Sequence, residues 1–245
     1  PVRGLAWRLR CRANWEGFLP GWRNMNGRTM NYELVVFDWD GTLMDSAGAI
    51  VACMQAAACD LGLPPPDDRT ARQVIGLGLH DALAQAMPGV PQGDYALVAD
   101  RYRRFYLAQD HRLGLFPGAQ DLIAGLAADG RLLGVATGKS RPGLNRALDM
   151  SGMRPLFHAT RCADECCSKP HPEMLLELMD ELGVEAARTL MVGDTTHDLL
   201  MARNAGVAAV AVSFGAHTRD VLEAAAPLTV CDSVGALGEW LRHQG

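Results

Sequence analysis

No apolar run in this chain approaches the ~20 residues needed to cross a bilayer, so a membrane-spanning role has no support. A basic excess is also missing. The net charge of −5 over 245 residues gives no broad positive field, and nucleic acid is not an expected partner. The seven cysteines form no compact framework, and no secretory signal is visible, so a reducing, cytoplasmic setting is expected. Internal repeats and low-complexity tracts are absent. No feature specifies an oligomeric state. What remains is an ordinary globular composition, 49% apolar and 21% charged, with enough length for one large domain or two small ones.

The first 30 residues stand apart. Six arginines (3, 8, 10, 12, 23 and 28) face one acid, Glu16, and three of the five tryptophans (7, 15 and 22) fall here. The local charge is +5 within a net −5, so the rest of the chain carries −10. A transit peptide would be Arg-rich and acid-poor but also serine-rich, and this segment has no serine. Residues 1–30 are therefore expected to be a disordered extension from an upstream start, ending near Met30, with no part in the chemistry.

From residue 33 short apolar runs alternate with amphipathic ones. Strands are expected at 34–37, 132–136, 189–192, 208–212 and 228–230, and helices near 118–129, 141–151, 171–183, 197–204 and 217–225. The runs at 132–136 and 189–192 are apolar throughout, as in strands covered on both faces. This predicts an α/β fold with a doubly wound, Rossmann-like parallel sheet. Between about 46 and 116 the strand signal vanishes, leaving only helical patterns near 47–62, 68–75, 79–87 and 94–110. That stretch reads as an all-helical cap inserted after the first strand, with residues 31–45 and 117–245 as the catalytic core. Phe116-Pro117-Gly118 marks the return.

Ligands of open parallel sheets bind where loops leave the strand C-termini. The stretch "ELVVFDWDGTLMDS" puts Asp38, Asp40, Gly41 and Thr42 there. The next strands deliver Thr137-Gly138-Lys139-Ser140, then Ser168-Lys169-Pro170, then Gly193-Asp194 with Asp198 beyond. Each alone reads as a turn or a helix start. Together, each past a strand, they describe one acidic pocket. Oxygen ligands with room for water suit Mg²⁺, and Mg²⁺ favours phosphate as its other partner. Lys169 and the Thr137 hydroxyl would then meet phosphoryl oxygens. Asp38 would be kept ionised as a nucleophile, and Asp40 would act on the leaving oxygen, its pKa raised by anionic neighbours. "GVATGKS" has three residues between its glycines where a nucleotide phosphate loop needs four, so that reading is set aside.

At these residues the sequence resembles the haloacid dehalogenase superfamily, and within it the phosphoglycolate-phosphatase-like phosphatases. The signatures are "DWDGTL", Thr137 of "VATGKS", Lys169 of "SKPHP" and "GDTTHD". The resemblance covers 33–240. It implies a phosphoaspartyl intermediate on Asp38, Asp40 as acid and then base, and Mg²⁺ held by Asp38, the Asp40 carbonyl and Asp194. Asp198 would lie behind them, and Gly41, Thr42, Thr137, Gly138 and Lys169 around the substrate. It also implies that the helical insertion closes over a small phosphorylated metabolite. A halide leaving group needs no proton, so Asp40 argues for phosphate esters. A phosphomutase of the β-phosphoglucomutase type is the alternative, and a non-catalytic phospho-ligand module a further one. The cap loop at 74–81 offers mainly glycine and apolar groups plus His80, with Arg69 and Arg72 nearby, which favours hydrolysis over transfer.

His158, Cys162, Cys166 and Cys167 do not match a structural zinc spacing, so buried or half-exposed thiols are expected. If exposed, Cys166 and Cys167 would be open to oxidation. His197 and His171 could face substrate or solvent. Met150, Met153, Met174, Met179 and Met191 read as core filler.

Overall fold

The computed structural model describes residues 22–23 and 29–244. The expectation of a disordered segment over 1–30 lies largely outside them. Its described part is a short antiparallel pair, β1 (Trp22–Arg23) with β2 (Thr29–Met30). Among the described residues no helix is long and apolar enough to cross a membrane.

Six parallel strands form the sheet: β3 (Leu34–Phe37), β4 (Leu132–Thr137), β5 (Ala159–Cys162), β6 (Thr189–Gly193), β7 (Ala208–Val212) and β8 (Val230–Cys231). Their order is β5-β4-β3-β6-β7-β8. The chain builds outward from β3 in one direction through β4 and β5, then in the other through β6, β7 and β8. The C-terminal end of β3 is therefore the point where the strand order reverses.

The alternation along β3 explains its apolar run. Val35 and Phe37 enter one buried layer, Leu34 and Val36 the other. The first layer is closed by α5 (Ala119–Ala128), α6 (Arg141–Ser151) and α10 (Val234–His243). The second is closed by α7 (Glu173–Leu182) and α8 (Thr196–Ala205), through Met174, Leu178 and Met201 among others. A smaller cluster lies under α9 (Arg219–Ala224). Continuing the period, Trp39 falls on the Val35 side, fully buried and edge-on to Phe157 at 6.2 Å. Asp38 and Asp40 are thereby turned away from that layer. The bulky residue between two acids is a core anchor.

Between β3 and β4 lie α1 (Ala47–Asp60), α2 (Asp68–Gln73), α3 (Leu79–Ala86) and α4 (Tyr95–Leu107). They share a buried cluster of their own, with α1 packed along α4. The chain re-enters the core where the Phe116 N–H donates to the Leu43 carbonyl (2.9 Å) and its ring meets Phe214 at 4.7 Å.

Besides the β1–β2 pair, the structure adds a strand and a helix to the expected set. Strand β5 is not expected because ATRC is not an apolar run. It is an edge strand whose Arg161 reaches Glu177 and Glu181 at 2.6 and 2.7 Å. Helix α10 is the other, held by Val234, Leu237, Gly238 and Leu241 on one face.

Candidate active site

The parallel register brings the strand ends level. Phe37 pairs with Val135 of β4 and Val192 of β6, so the chain passes from β3 straight into Asp38, whose N–H donates to the Val192 carbonyl (2.9 Å). Thr137 ends β4, Gly193-Asp194 ends β6, and Asp198 sits in the first turn of α8. Asp38, Asp194 and Asp198 are fully buried, and one carboxylate oxygen from each lies within 4.8 Å of the others. Lys169, also buried, sits among them. Its Nζ donates to Asp198 Oδ1 at 2.6 Å and lies 2.9 Å from Asp38 Oδ1.

The three acids are not equally committed. Asp198 accepts from Lys169 and from both the hydroxyl (2.7 Å) and the N–H (3.1 Å) of Thr195, closing a capping box at the start of α8. Asp194 accepts from the Thr42 hydroxyl (2.9 Å) and the Ala216 N–H (2.7 Å). Asp38 differs: its one close polar neighbour is the Lys169 ammonium beside Oδ1, and Oδ2 has no partner. Gly41 is required here. Its φ is +77°, and a Cβ would sit 2.1 Å from Asp194 Oδ2.

Three buried carboxylates against one ammonium leave two negative charges uncompensated. Burial pushes the Asp38 carboxyl up to about 7 despite the opposing charge of Lys169. Burial, then the charges of Asp38 and Asp198, push Asp194 well above the carboxylate range. Burial pulls the Lys169 ammonium down, but Asp198 and Asp38 outweigh it and hold its pKa above normal. A hard divalent cation fits this set. All the donors are oxygens, the excess charge matches, and Asp38 Oδ2 has no partner.

A pH-dependent stability follows. Between about pH 4 and about pH 7 the folded, metal-free chain binds more protons at Asp38 than the unfolded chain, so stability falls as pH rises through that window. A divalent cation bound among the ionised carboxylates would restore it. At pH 8, Mg²⁺ at about a hundred times its Kd is expected to raise Tm by roughly 5–10 °C. At pH 5 the shift should be much smaller. Scanning calorimetry with and without EDTA checks this, and equal shifts at both pH values would refute it.

Asp40 faces a different group. Its Oδ1 accepts from the Ser46 hydroxyl (2.6 Å) and lies 2.9 Å from the ammonium of Lys139. A cation and a hydroxyl are thus its closest partners, with Asp38 near enough to interact through its charge. Ser46 stands at the N-cap of α1 but makes no side-chain capping bond, which leaves it for Asp40. Lys139 Nζ in turn donates to the Tyr106 hydroxyl (2.9 Å) on α4. Ser46 and Tyr106 are not among the expected site residues, and Lys139 is expected at the pocket without a role. The signal for Lys139 is its rarity as well as its place after β4: it is one of just two lysines in the chain, and Lys169 is the other.

Thr137 is buried, its hydroxyl accepting from the Lys139 N–H (3.2 Å). At Gly138 a Cβ would fall 2.5 and 2.6 Å from the carbonyls of Leu77 and Gly76, so this core loop touches the helical insertion directly. His197 points to the same seam, its Nε2 lying 2.8 Å from the Gln73 carbonyl, and does not line the cavity beside the acids. Arg69 and Arg72 do not line it either, whereas His80 does. Among the described residues His158, Cys162 and Cys166 join no metal-sized cluster. Cys167 lies instead with His171 and Glu173, largely exposed. Burial pushes the Cys166 thiol up to about 12, and the Glu173 carboxylate beside the exposed Cys167 raises that thiol as well.

A family model for haloacid dehalogenase-like hydrolases matches residues 35–212. A protein named probable phosphatase IndB, from Dickeya dadantii, is 41% identical, the match covering 82% of this chain and 89% of that one. A phosphoglycolate phosphatase from Rhodospirillum rubrum is 34% identical, with 84% and 90% covered. Among solved structures, a hydrolase from Pseudomonas syringae superposes with a TM-score of 0.78 at 23% identity, over 85% of this chain and 97% of that one.

Proposed function

The chain is a phosphatase of the haloacid dehalogenase-like hydrolase family, and on that premise we propose that it uses Mg²⁺ to hydrolyse a small phosphomonoester metabolite through a phosphoaspartyl intermediate. The observation that carries this reading is the buried triad of Asp38, Asp194 and Asp198 around Lys169, in which Asp38 alone keeps an oxygen with no partner.

In this reading Asp38, Asp194 and the Asp40 main-chain carbonyl would hold Mg²⁺. Asp198 stands behind them, since its oxygens already serve Lys169 and Thr195. When bound, the cation offsets the charge of the acids and of the phosphoryl oxygens. An oxygen of Asp38 attacks phosphorus as the ester P–O bond breaks. Asp40 gives its proton to the leaving oxygen. The freed Asp40 carboxylate then takes a proton from water, which attacks the phosphoaspartate. The bond to Asp38 breaks and inorganic phosphate leaves. Lys169, the Thr137 hydroxyl and backbone N–H groups around Gly41, Thr42 and Gly138 face the transferring group. Residues 46–116 act as a cap on the core formed by 31–45 and 117–245 and exclude water from the reaction. A cytoplasmic location belongs to the same reading, supported by free thiols at six described cysteines.

The test is phosphate release from a panel of phosphomonoesters, with Mg²⁺ and with EDTA. Turnover with Mg²⁺ and loss of at least about 10²-fold with EDTA is expected, from the share of the barrier such charge stabilisation supplies. Turnover indifferent to EDTA would refute the metal's role. Conversion of a hexose 1-phosphate that needs a bisphosphate primer, without net phosphate release, would assign the chain to the mutases.

A further inference from the structure

Asp38 and Asp40 open into a cavity of about 550 Å³ between the helical insertion and the core. That is within the range that buries drug-sized molecules, roughly 300–1,000 Å³. Phosphoglycolate, the substrate in the name of the Rhodospirillum rubrum relative, has nine non-hydrogen atoms and would leave most of this space to water. The volume is not the gap of an insertion swung away. The Gly78 N–H donates to the Ser168 hydroxyl (2.9 Å), Tyr106 accepts from Lys139, and Gly138 abuts the Gly76 and Leu77 carbonyls. The cavity persists with the insertion seated on the core.

Its walls on the insertion side are mostly hydrocarbon, interrupted by Arg103, Asp110 and the exposed His80–Asp81 pair (3.8 Å). Ile50 and Met54 come from α1, Ile75 and Leu77 from the segment between α2 and α3, and Tyr102 and Leu107 from α4. The first four are buried within the insertion's own cluster, and the Tyr102 ring stacks on Tyr106 at 5.8 Å. Charged groups that could receive a second polar end are mostly committed elsewhere. Lys139 holds Asp40 and Tyr106, Arg146 lies 3.4 Å from Asp110, and Asp164 accepts from the Arg141 N–H. Arg103 is exposed at the rim. A carboxylate or a row of sugar hydroxyls set against Ile50, Met54 and Ile75 would lose its hydration without gaining partners.

We infer that the alcohol half of the substrate is bulky and apolar: the enzyme takes the phosphate monoester of an aromatic or long-chain alkyl alcohol, in preference to a two-carbon acid or a sugar. This rests on the phosphatase reading above and specifies its substrate class.

The test compares kcat/KM with Mg²⁺ for ethyl, butyl and hexyl phosphate, phosphoglycolate and glucose 6-phosphate, all with leaving oxygens of similar basicity. Full burial of each methylene corresponds to about fourfold, so a rise of at least about 30-fold from ethyl to hexyl is expected. Phosphoglycolate and glucose 6-phosphate should fall at least about tenfold below hexyl phosphate on the same reasoning. Met54→Gln and Ile75→Asn should each shrink the hexyl-to-ethyl ratio, a quantity read within one protein. Calorimetry with hexylphosphonate and phosphonoacetate reads the pocket without chemistry, and the former should bind more tightly. A flat alkyl series, or preference for phosphoglycolate or glucose 6-phosphate, overturns this inference and leaves the phosphatase reading standing. Tighter binding of hexylphosphonate with no phosphate released from any ester supports the apolar site and overturns the phosphatase reading. Neither release nor preferential binding overturns both.

Discussion

Asp38→Asn is expected to lower kcat for every phosphomonoester by at least about 10⁴-fold, the scale seen when an enzyme loses its nucleophile. The amide has the carboxylate's shape but neither its charge nor its nucleophilicity. No other group stands ready to replace it. Asp194 and Asp198 each accept hydrogen bonds at both oxygens, and Asp198 is tied to α8 by its capping box. The fold should survive. Burial raises the Asp38 pKa, so its charge works against the folded, metal-free state at neutral pH. Removing that charge should leave Tm in EDTA at pH 8 no lower than in the parent, with Lys169 still paired to Asp198. Phosphate release measures the first effect and calorimetry the second. Acid-quenched phosphoenzyme should be found in the parent and be missing from the variant. Activity within tenfold of the parent would remove Asp38 from the chemistry.

Lys169 shows why the site needs all its parts. It is buried with two carboxylates, and a buried charge is tolerated only when paired. Asp198 fixes it from one side through a bond that also starts α8. The ammonium is thereby held beside Asp38, whose other neighbours leave its oxygens open. The same contacts that stabilise the α8 start thus orient the cation toward Asp38.

Much of this could be read from the chain because parallel topology does the gathering. Strands β3, β4, β6 and β7 are apolar on both faces, and whatever follows them must meet at one end of the sheet. That is why Asp38, Thr137 and Asp194, far apart in sequence, lie together. Edge strand β5 was hidden because an edge needs no such run, and Arg161 satisfies its exposed side. Helix α10 was legible in principle. Ser233 precedes Val234, Leu237, Gly238 and Leu241 at helical spacing, and the Ser233 hydroxyl accepts from the Ala236 N–H. The partners of Asp40 were not legible. Lys139 follows a strand like the other site residues, but Tyr106 reaches it from α4, and only the packing of the insertion on the core sets that direction.

Asp40→Asn should separate the two halves of the reaction. For alkyl phosphates the leaving alkoxide is strongly basic, and losing the proton donor should cost about 10²–10⁴-fold in kcat. For p-nitrophenyl phosphate the leaving group is a weak base and departs without help, so transfer to Asp38 should remain fast. Hydrolysis of the phosphoaspartate still needs a base for the attacking water, and the amide that replaces Asp40 cannot supply one. The variant should therefore release one equivalent of p-nitrophenol per active site in a rapid burst and then turn over slowly. Rapid-mixing absorbance measures the burst, and acid quench should find phosphate covalently bound in the same amount. The burst also controls for folding, because it requires Asp38 and its surroundings to be intact. Lys139 sharpens the expectation. It lies 2.9 Å from the Asp40 carboxylate and bonds Tyr106 on the insertion, so it ties Asp40 to the insertion. A variant with no burst and equal losses on both substrates would show that Asp40 acts by supporting the structure and carries no proton.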